Sequence, residues 1–238
     1  MLVRLASLSL LFGSLACGSS TPEPASSDQS TAVDGQKRTG PAVSMDADIG
    51  ALDEAKVLST FQSAQSAISS CLTRGAERLP YLAGRVRFHV RVDQAGKATS
   101  VHLEASDIGD RTTEECMLRA LSQKSWPAPE GGREGIAKTE FSFDPPGNAR
   151  PPVDWSLANA GKGGEKLEAE LVRCKREAGA EDLSAVAYVD TDGKVLAIGV
   201  SGSDPRVEAA ADCVVSAAKA AELSSPGSWV AKLHLSLR

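Results

Sequence analysis

Aromatic side chains are scarce. Five Phe, two Tyr and three Trp make up 4% of 238 residues. The hydrophobic content of 42% still allows a packed core, so that core has to be built mainly from Val, Leu, Ile and Ala. Positive charge is not in excess. The net charge of −5 lacks the basic footprint that nucleic-acid binding requires, so no nucleic-acid partner is expected. Long hydrophobic runs are missing as well. Leu5 to Phe12 is too short to span a bilayer as a helix, and no longer run follows it. Histidine is limited to three residues, no Cys-x-x-Cys occurs, and no histidine stands at ligand spacing from a cysteine. That argues against zinc. No catalytic, metal or cofactor motif is expected from the remainder.

What is present is a repeat. In the first copy, Gly84-Arg-Val-Arg-Phe-His-Val-Arg-Val-Asp-Gln-Ala-Gly96-Lys97 reads as a strand entering a glycine turn. Cys116 follows Gly96 by 20 residues, Trp126 comes ten later, and the copy closes on Phe141-Ser-Phe143. In the second copy, Ala185 to Lys194 takes the strand-and-turn place. Cys213 again follows the glycine by 20 residues, with Leu223 ten further on, and the copy closes on Leu235-Ser-Leu237.

Within each copy the periodicities predict helix, strand, strand, helix, strand. Val57, Phe61, Ala64, Ile68 and Cys71 share one helical face from Asp53 to about Gly75, with Gly75 as the stop. Val86, Phe88, Val90 and Val92 alternate with polar residues in a half-buried strand. Asp93 to Lys97 is the turn and Ala98 to Glu104 the returning strand. Thr112-Thr-Glu-Glu115 matches a capping box for the second helix, which ends at Trp126-Pro127. Glu130 to Gly135 reads as a loop and Lys138 to Phe143 as the last strand. In the second copy, Leu167, Leu171, Cys174 and Ala178 mark a helix, with a hairpin around Asp192-Gly193. Asp204-Pro205 starts the second helix, and Trp229 to Leu237 is the final strand.

The N-terminus is set apart from this fold. Arg4, the short apolar run and Gly13-Ser-Leu-Ala16 before Cys17 resemble a lipoprotein signal peptide, with Leu15 one place later than the usual leucine. Residues 1–16 are then removed, Cys17 carries the lipid, and residues 17–44 form a flexible tether. Fourteen of the 26 residues from Gly18 to Val43 are Gly, Ser, Thr or Pro, too few apolar groups to offset ordering entropy. Gly18 in place of the aspartate of inner-membrane retention points to an outer-membrane lipoprotein facing the periplasm or the cell surface. The first unit is read as residues 45–144, a linker as 145–164, and a degenerate second unit as 165–238.

Four cysteines remain, one per predicted helix. An exported chain permits disulfides, and four cysteines allow three connectivities. The repeat favours Cys71 with Cys116 and Cys174 with Cys213; four buried free thiols are the alternative.

Cys71, Gly84, Val86, Phe88, Val90, Gly96, Cys116, Trp126, Pro127, Phe141 and Phe143 together resemble the C-terminal domain family of AgmX/PglI, which is similar to the TonB C-terminal domain. The resemblance implies an α/β (α+β) fold of two tandem TonB-C-like units. It also implies a non-catalytic protein-binding or scaffolding module in an envelope or motility-type assembly, with envelope proteins as partners and the membrane reached through the lipid. In the TonB domain the last strand lies at a sheet edge and receives a partner strand. By that likeness Lys138, Thr139, Glu140, Phe141, Ser142 and Phe143, or Lys232 to Leu237 in the second copy, are the candidate edge; the other outcome is that the edges of the two copies pair with each other.

Readings from other classes are a small hydrolase or metal enzyme and a purely structural spacer. Gly199-Val-Ser201-Gly202-Ser203 is a near miss for a nucleophile elbow. Asp190-Thr-Asp192-Gly193 reads as a hairpin turn rather than a calcium loop, lacking the glutamate at position twelve. His89 and His102 are read as part of an exposed strand face, with a metal-binding pair as the alternative. Trp126 is read as a core plug.

Overall fold

A computed structural model describes residues 47–145 and 147–238. Residues 1–46, which include the signal stretch, Cys17 and the tether of residues 17–44, lie outside the described residues. The fold is α+β: four helices and two four-stranded mixed sheets, each sheet built by one copy of the repeat.

The first copy runs β1 (Ala47–Gly50), α1 (Glu54–Arg78), β2 (Gly84–Asp93), β3 (Ala98–Ser106), α2 (Arg111–Ser122) and β4 (Gly132–Phe143). The second runs β5 (Val153–Trp155), a 3-10 turn over Leu157–Ala160, α3 (Gly161–Ala178), β6 (Leu183–Val189), β7 (Val195–Ser201), α4 (Val207–Lys219) and β8 (Ala231–Leu237). The sheet orders are β1-β4-β2-β3 and β5-β8-β6-β7.

Each copy therefore holds one strand more than its periodicity predicts. β1 pairs parallel with β4 at Ala47–Gly132, Ile49–Glu134 and Gly50–Gly135, so the stretch read as a loop before Lys138 is already strand. β5 pairs parallel with β8 at Val153–Ala231, Asp154–Lys232 and Trp155–Leu233, inside the stretch read as a linker.

Helix α1 begins where expected, with the Asp53 carboxylate accepting from the Lys56 amide at 3.0 Å. It does not stop at Gly75 but continues to Arg78. Gly75 is buried, and a Cβ there would overlap the Thr113 hydroxyl and Leu82. Its role is close packing of α1 on α2. Helix α2 starts at Arg111 rather than at the Thr112 capping box, with Asp110 as the N-cap residue. The Asp110 carboxylate is taken by Arg78 and by the Thr113 hydroxyl, Glu115 pairs with Arg119 at 2.7 Å, and Glu114 is drawn elsewhere.

The two hairpin turns are alike. Asp93 Oδ1 accepts from the amides of Ala95 and Lys97, and Asp190 Oδ1 from those of Asp192 and Lys194. Gly96 (φ 73°) and Gly193 (φ 82°) supply the left-handed residue each turn needs. The Asp190 carboxylate thus serves the turn.

Helices pack on one face of each sheet. Phe61, Ile68, Val86, Phe88, Val90, Leu103 and Trp126 form the first core, and Leu167, Leu171, Ala187, Val200, Val214 and Leu233 anchor the second. Aromatics concentrate in the first. Trp126 fills that core edge-on to Phe61, with ring centroids 4.9 Å apart. Of the three possible connectivities, the structure forms Cys71–Cys116 and Cys174–Cys213, with Cα atoms 5.8 and 5.6 Å apart. Each bridge ties the two helices of one copy.

The copies pack together as one compact body. Leu103 accepts from the Gly202 amide at 2.9 Å, and the Ser201 hydroxyl accepts from the Ser106 amide at 3.2 Å. Tyr188 of β6 is fully buried in the first copy's core, 5.2 Å from Tyr81 between ring centroids. Lys232 donates to the Ala83 carbonyl at 2.9 Å. Arg111 pairs with Glu208 at 2.7 Å; these residues stand at the same repeat position, 97 apart, as Gly96 and Gly193 do. Equivalent residues meeting across a junction is the mark of an isologous, two-fold-like contact.

Candidate functional site

Two places combine chemistry with position: the outer side of β4 and the junction of the copies. The first holds the sequence's candidate edge. β4 pairs with β2 from Glu134–Asp93 to Phe143–Gly84. On its other side β1 covers only Gly132 to Gly135. β4 is therefore not the outermost strand throughout, as a simple last-strand edge would be. From Ile136 to Phe143 its far side pairs with no strand among the described residues. The edges of β4 and β8 do not pair with each other in either sheet.

Residues along that open stretch are sorted by the pleat. Ala137 is buried on the helix side, with Phe141 and Phe143 half-buried beyond it and their rings stacked 6.2 Å apart. Phe141 also meets Phe88 edge-on at 5.9 Å. On the opposite face, Lys138 pairs with Glu104 and Glu140 with Arg87, each at 2.9 Å. The Lys138 ammonium holds the Glu104 carboxyl below the usual carboxylate range. Thr139 and Ser142 complete the strip. Paired charges at an exposed edge deter indiscriminate strand pairing.

The second place was missed by sequence reasoning. Glu114 is fully buried, yet it lies on the first turn of an amphipathic helix where a carboxylate is ordinarily solvated. Its Oε1 accepts from the Ser106 hydroxyl at 2.6 Å and its Oε2 from the Val200 amide of β7 at 2.9 Å. The carboxylate lies over Gly199, where a Cβ would overlap it. Burial pushes the Glu114 carboxyl up to about 7, against the opposing pull of the Ser106 hydroxyl, the Val200 amide and Arg111. Its one sequence signal was a glycine inside a strand pattern, which marks a close approach.

Ser201 belongs to this junction. It is 1% exposed, its hydroxyl accepts from the Ser106 amide, and neither His89 nor His102 is hydrogen-bonded to it. His89 and His102 do not form an exposed face. They are cross-strand neighbours 4.6 Å apart between ring centroids, and both are buried. The second copy closes over His102: the Ser203 backbone, Asp204 and Glu208 all favour its charged form, but burial outweighs them and lowers its pKa. Burial, then the neighbouring His102, pushes His89 down to about 4. Both rings are therefore neutral near pH 7. Among the described residues, no group of three or more His, Cys, Asp or Glu is placed to hold a metal ion. No helix among them is long and apolar enough to cross a membrane.

Compared with protein-family models, with curated proteins and with solved structures, the chain finds no match.

Proposed function

We propose that this chain is a lipid-anchored envelope protein, a non-catalytic binding or scaffolding module of the AgmX/PglI, TonB-C-like kind. It accepts an extended segment of a partner protein along Lys138–Phe143. The observation that carries this reading is the β4 edge left open beyond Gly135. Main-chain groups there offer hydrogen bonds that tolerate varied partner sequence, while alternate side chains give register. A partner strand would lay apolar residues against Phe141 and Phe143 and polar ones beside Lys138 and Glu140. Anchoring through Cys17 would hold that edge near the membrane.

The test is photo-crosslinking in cells that express the full chain. Crosslinkable residues replace Lys138, Glu140 and Ser142 in turn, with Thr99 on β3 as the control. Adducts confined to the β4 positions, mapping to one extended partner segment in a single register, support the reading. Adducts of equal yield at Thr99, or none at β4, overturn it. Mass analysis of the mature N-terminal peptide tests the anchor separately: an unmodified Cys17 removes it.

A further inference from the structure

We propose that the Cys71–Cys116 disulfide, and not Cys174–Cys213, is a thiol-exchange site, opened by a dithiol reductant at Cys116 with Arg74 stabilising the thiolate that leaves. The repeat supplies its own control. In each bridge the first cysteine is buried in a helix face and the second is half-buried. Accessibility therefore does not distinguish the two bridges; charge does.

The Arg74 guanidinium donates to Cys116 Sγ at 2.8 Å and lies 3.7 Å from Cys71 Sγ. Its position, three residues after Cys71, is held by Glu177 after Cys174. That glutamate is tied to Arg173 at 3.0 Å. Arg119, three residues after Cys116, is matched by Ser216 after Cys213. Arg78, seven after Cys71, is matched by Glu181. Among the described residues, no side-chain donor reaches either sulfur of the second bridge. A cavity of about 230 Å³ opens onto the first, lined by Arg74, Arg78, Arg119, Glu115 and both sulfurs' residues. Arg78 there is paired with Asp110 and Arg119 with Glu115, which leaves Arg74 as the cation committed to sulfur.

The step follows from this placement. A thiolate of the incoming dithiol attacks Cys116 Sγ, the more accessible sulfur. The Cys71–Cys116 bond breaks, and its electron pair leaves on Cys71 Sγ as a thiolate beside Arg74. The reductant's second thiolate then attacks its own sulfur in the mixed disulfide and releases Cys116 as a thiolate, again beside Arg74. The reductant leaves as a disulfide, and the protein holds two thiols once solvent has supplied protons. A neighbouring cation favours thiolates and so favours opening, and among the described residues the second bridge has no such donor on its sulfurs.

The experiment equilibrates the full mature chain in graded ratios of reduced to oxidised dithiothreitol. Differential alkylation and peptide mass mapping then read each bridge in the same molecule. The first bridge is expected to be half open at a ratio about tenfold lower than the second. Arg74→Gln should raise that ratio about three- to tenfold, Arg74→Lys by less, and neither should move the second bridge. Arg74 is exposed, so both variants leave the core intact. Simultaneous opening, earlier opening of Cys174–Cys213, or no response to Arg74→Gln overturns the proposal. Brief exposure to glutathione should trap the mixed disulfide on Cys116; finding it on Cys71 overturns the direction of attack.

Discussion

Replacing Glu114 by glutamine should make the protein more stable at alkaline pH. In the folded chain, burial raises the carboxyl from 4.5 to about 7. A folded value above the unfolded one means that the folded state binds the proton more tightly. The stability from this group is therefore complete below pH 4.5 and is lost as pH rises through about 7. At about 1.4 kcal/mol per pH unit, the interval amounts to roughly 3 kcal/mol. The glutamine oxygen would accept from the Val200 amide while its NH2 donates to the Ser106 hydroxyl, so the side chain keeps both partners, has no proton to lose and carries no charge into the junction. The Glu114→Gln variant and its parent should then have nearly equal stability at pH 4, with the variant ahead by up to about 3 kcal/mol at pH 8. Urea unfolding with the disulfides intact, followed by tryptophan fluorescence from pH 4 to 8, measures this. The contributions of His89 and His102 run the other way. Their lowered values remove stability as pH falls from 6.5, but they are common to both chains and cancel in the difference. A difference that stays flat across this range refutes the argument. So does a parent that is the more stable at pH 8, since Arg111 and the Val200 amide would then outweigh burial.

Two further outcomes follow from the same geometry. Gly199→Ala should destabilise the parent by about 2 kcal/mol because its Cβ meets the Glu114 carboxylate, and far less in a Glu114→Ala background; equal costs in the two backgrounds, measured by denaturation midpoints, would show that the two sites do not touch. Joint replacement of Cys174 and Cys213 by Ala should cost about 4 kcal/mol, since the bridge spans a sequence separation of 39 and closing such a loop restricts the unfolded chain; a loss under about 1 kcal/mol in urea unfolding would contradict that account.

Legibility in the sequence followed the length of each pattern. Helix α1 was readable because Phe61, Ala64, Ile68 and Cys71 keep one face buried for three turns. β2 was readable because Val86 to Val92 alternate over seven residues. The bridges were readable because the repeat placed one cysteine on each helix. β1 and β5 were not, because four and three residues carry no period to detect. They exist through pairing with β4 and β8, which are distant in sequence. The candidate edge, Lys138 to Phe143, lies beyond the part of β4 that β1 takes, Gly132 to Gly135. Glu114 sat inside a capping-box pattern that supplied a local explanation for it. Its second oxygen finds a partner only when β7 arrives from the other copy and brings the Val200 amide.

The junction brings unlike residues together at shared repeat positions. Two identical halves meeting about a two-fold-like axis would each place the same side chain on the other. Here Arg111 faces Glu208 at the shared repeat position, a contact that identical halves could not make without opposing like charges. The strand position that is Gly199 in the second copy is His102 in the first, and the helix position that is Glu114 in the first is Ala211 in the second. Glycine opens the space that Glu114 fills. On the other side His102 is fully buried, with Ser203, Asp204 and Glu208 of the second copy around it. Each substitution suits its partner across the junction rather than its neighbours along the chain. An unlike pair of halves thus gains contacts that a like pair cannot form, and the covalent connection keeps the two unlike surfaces together.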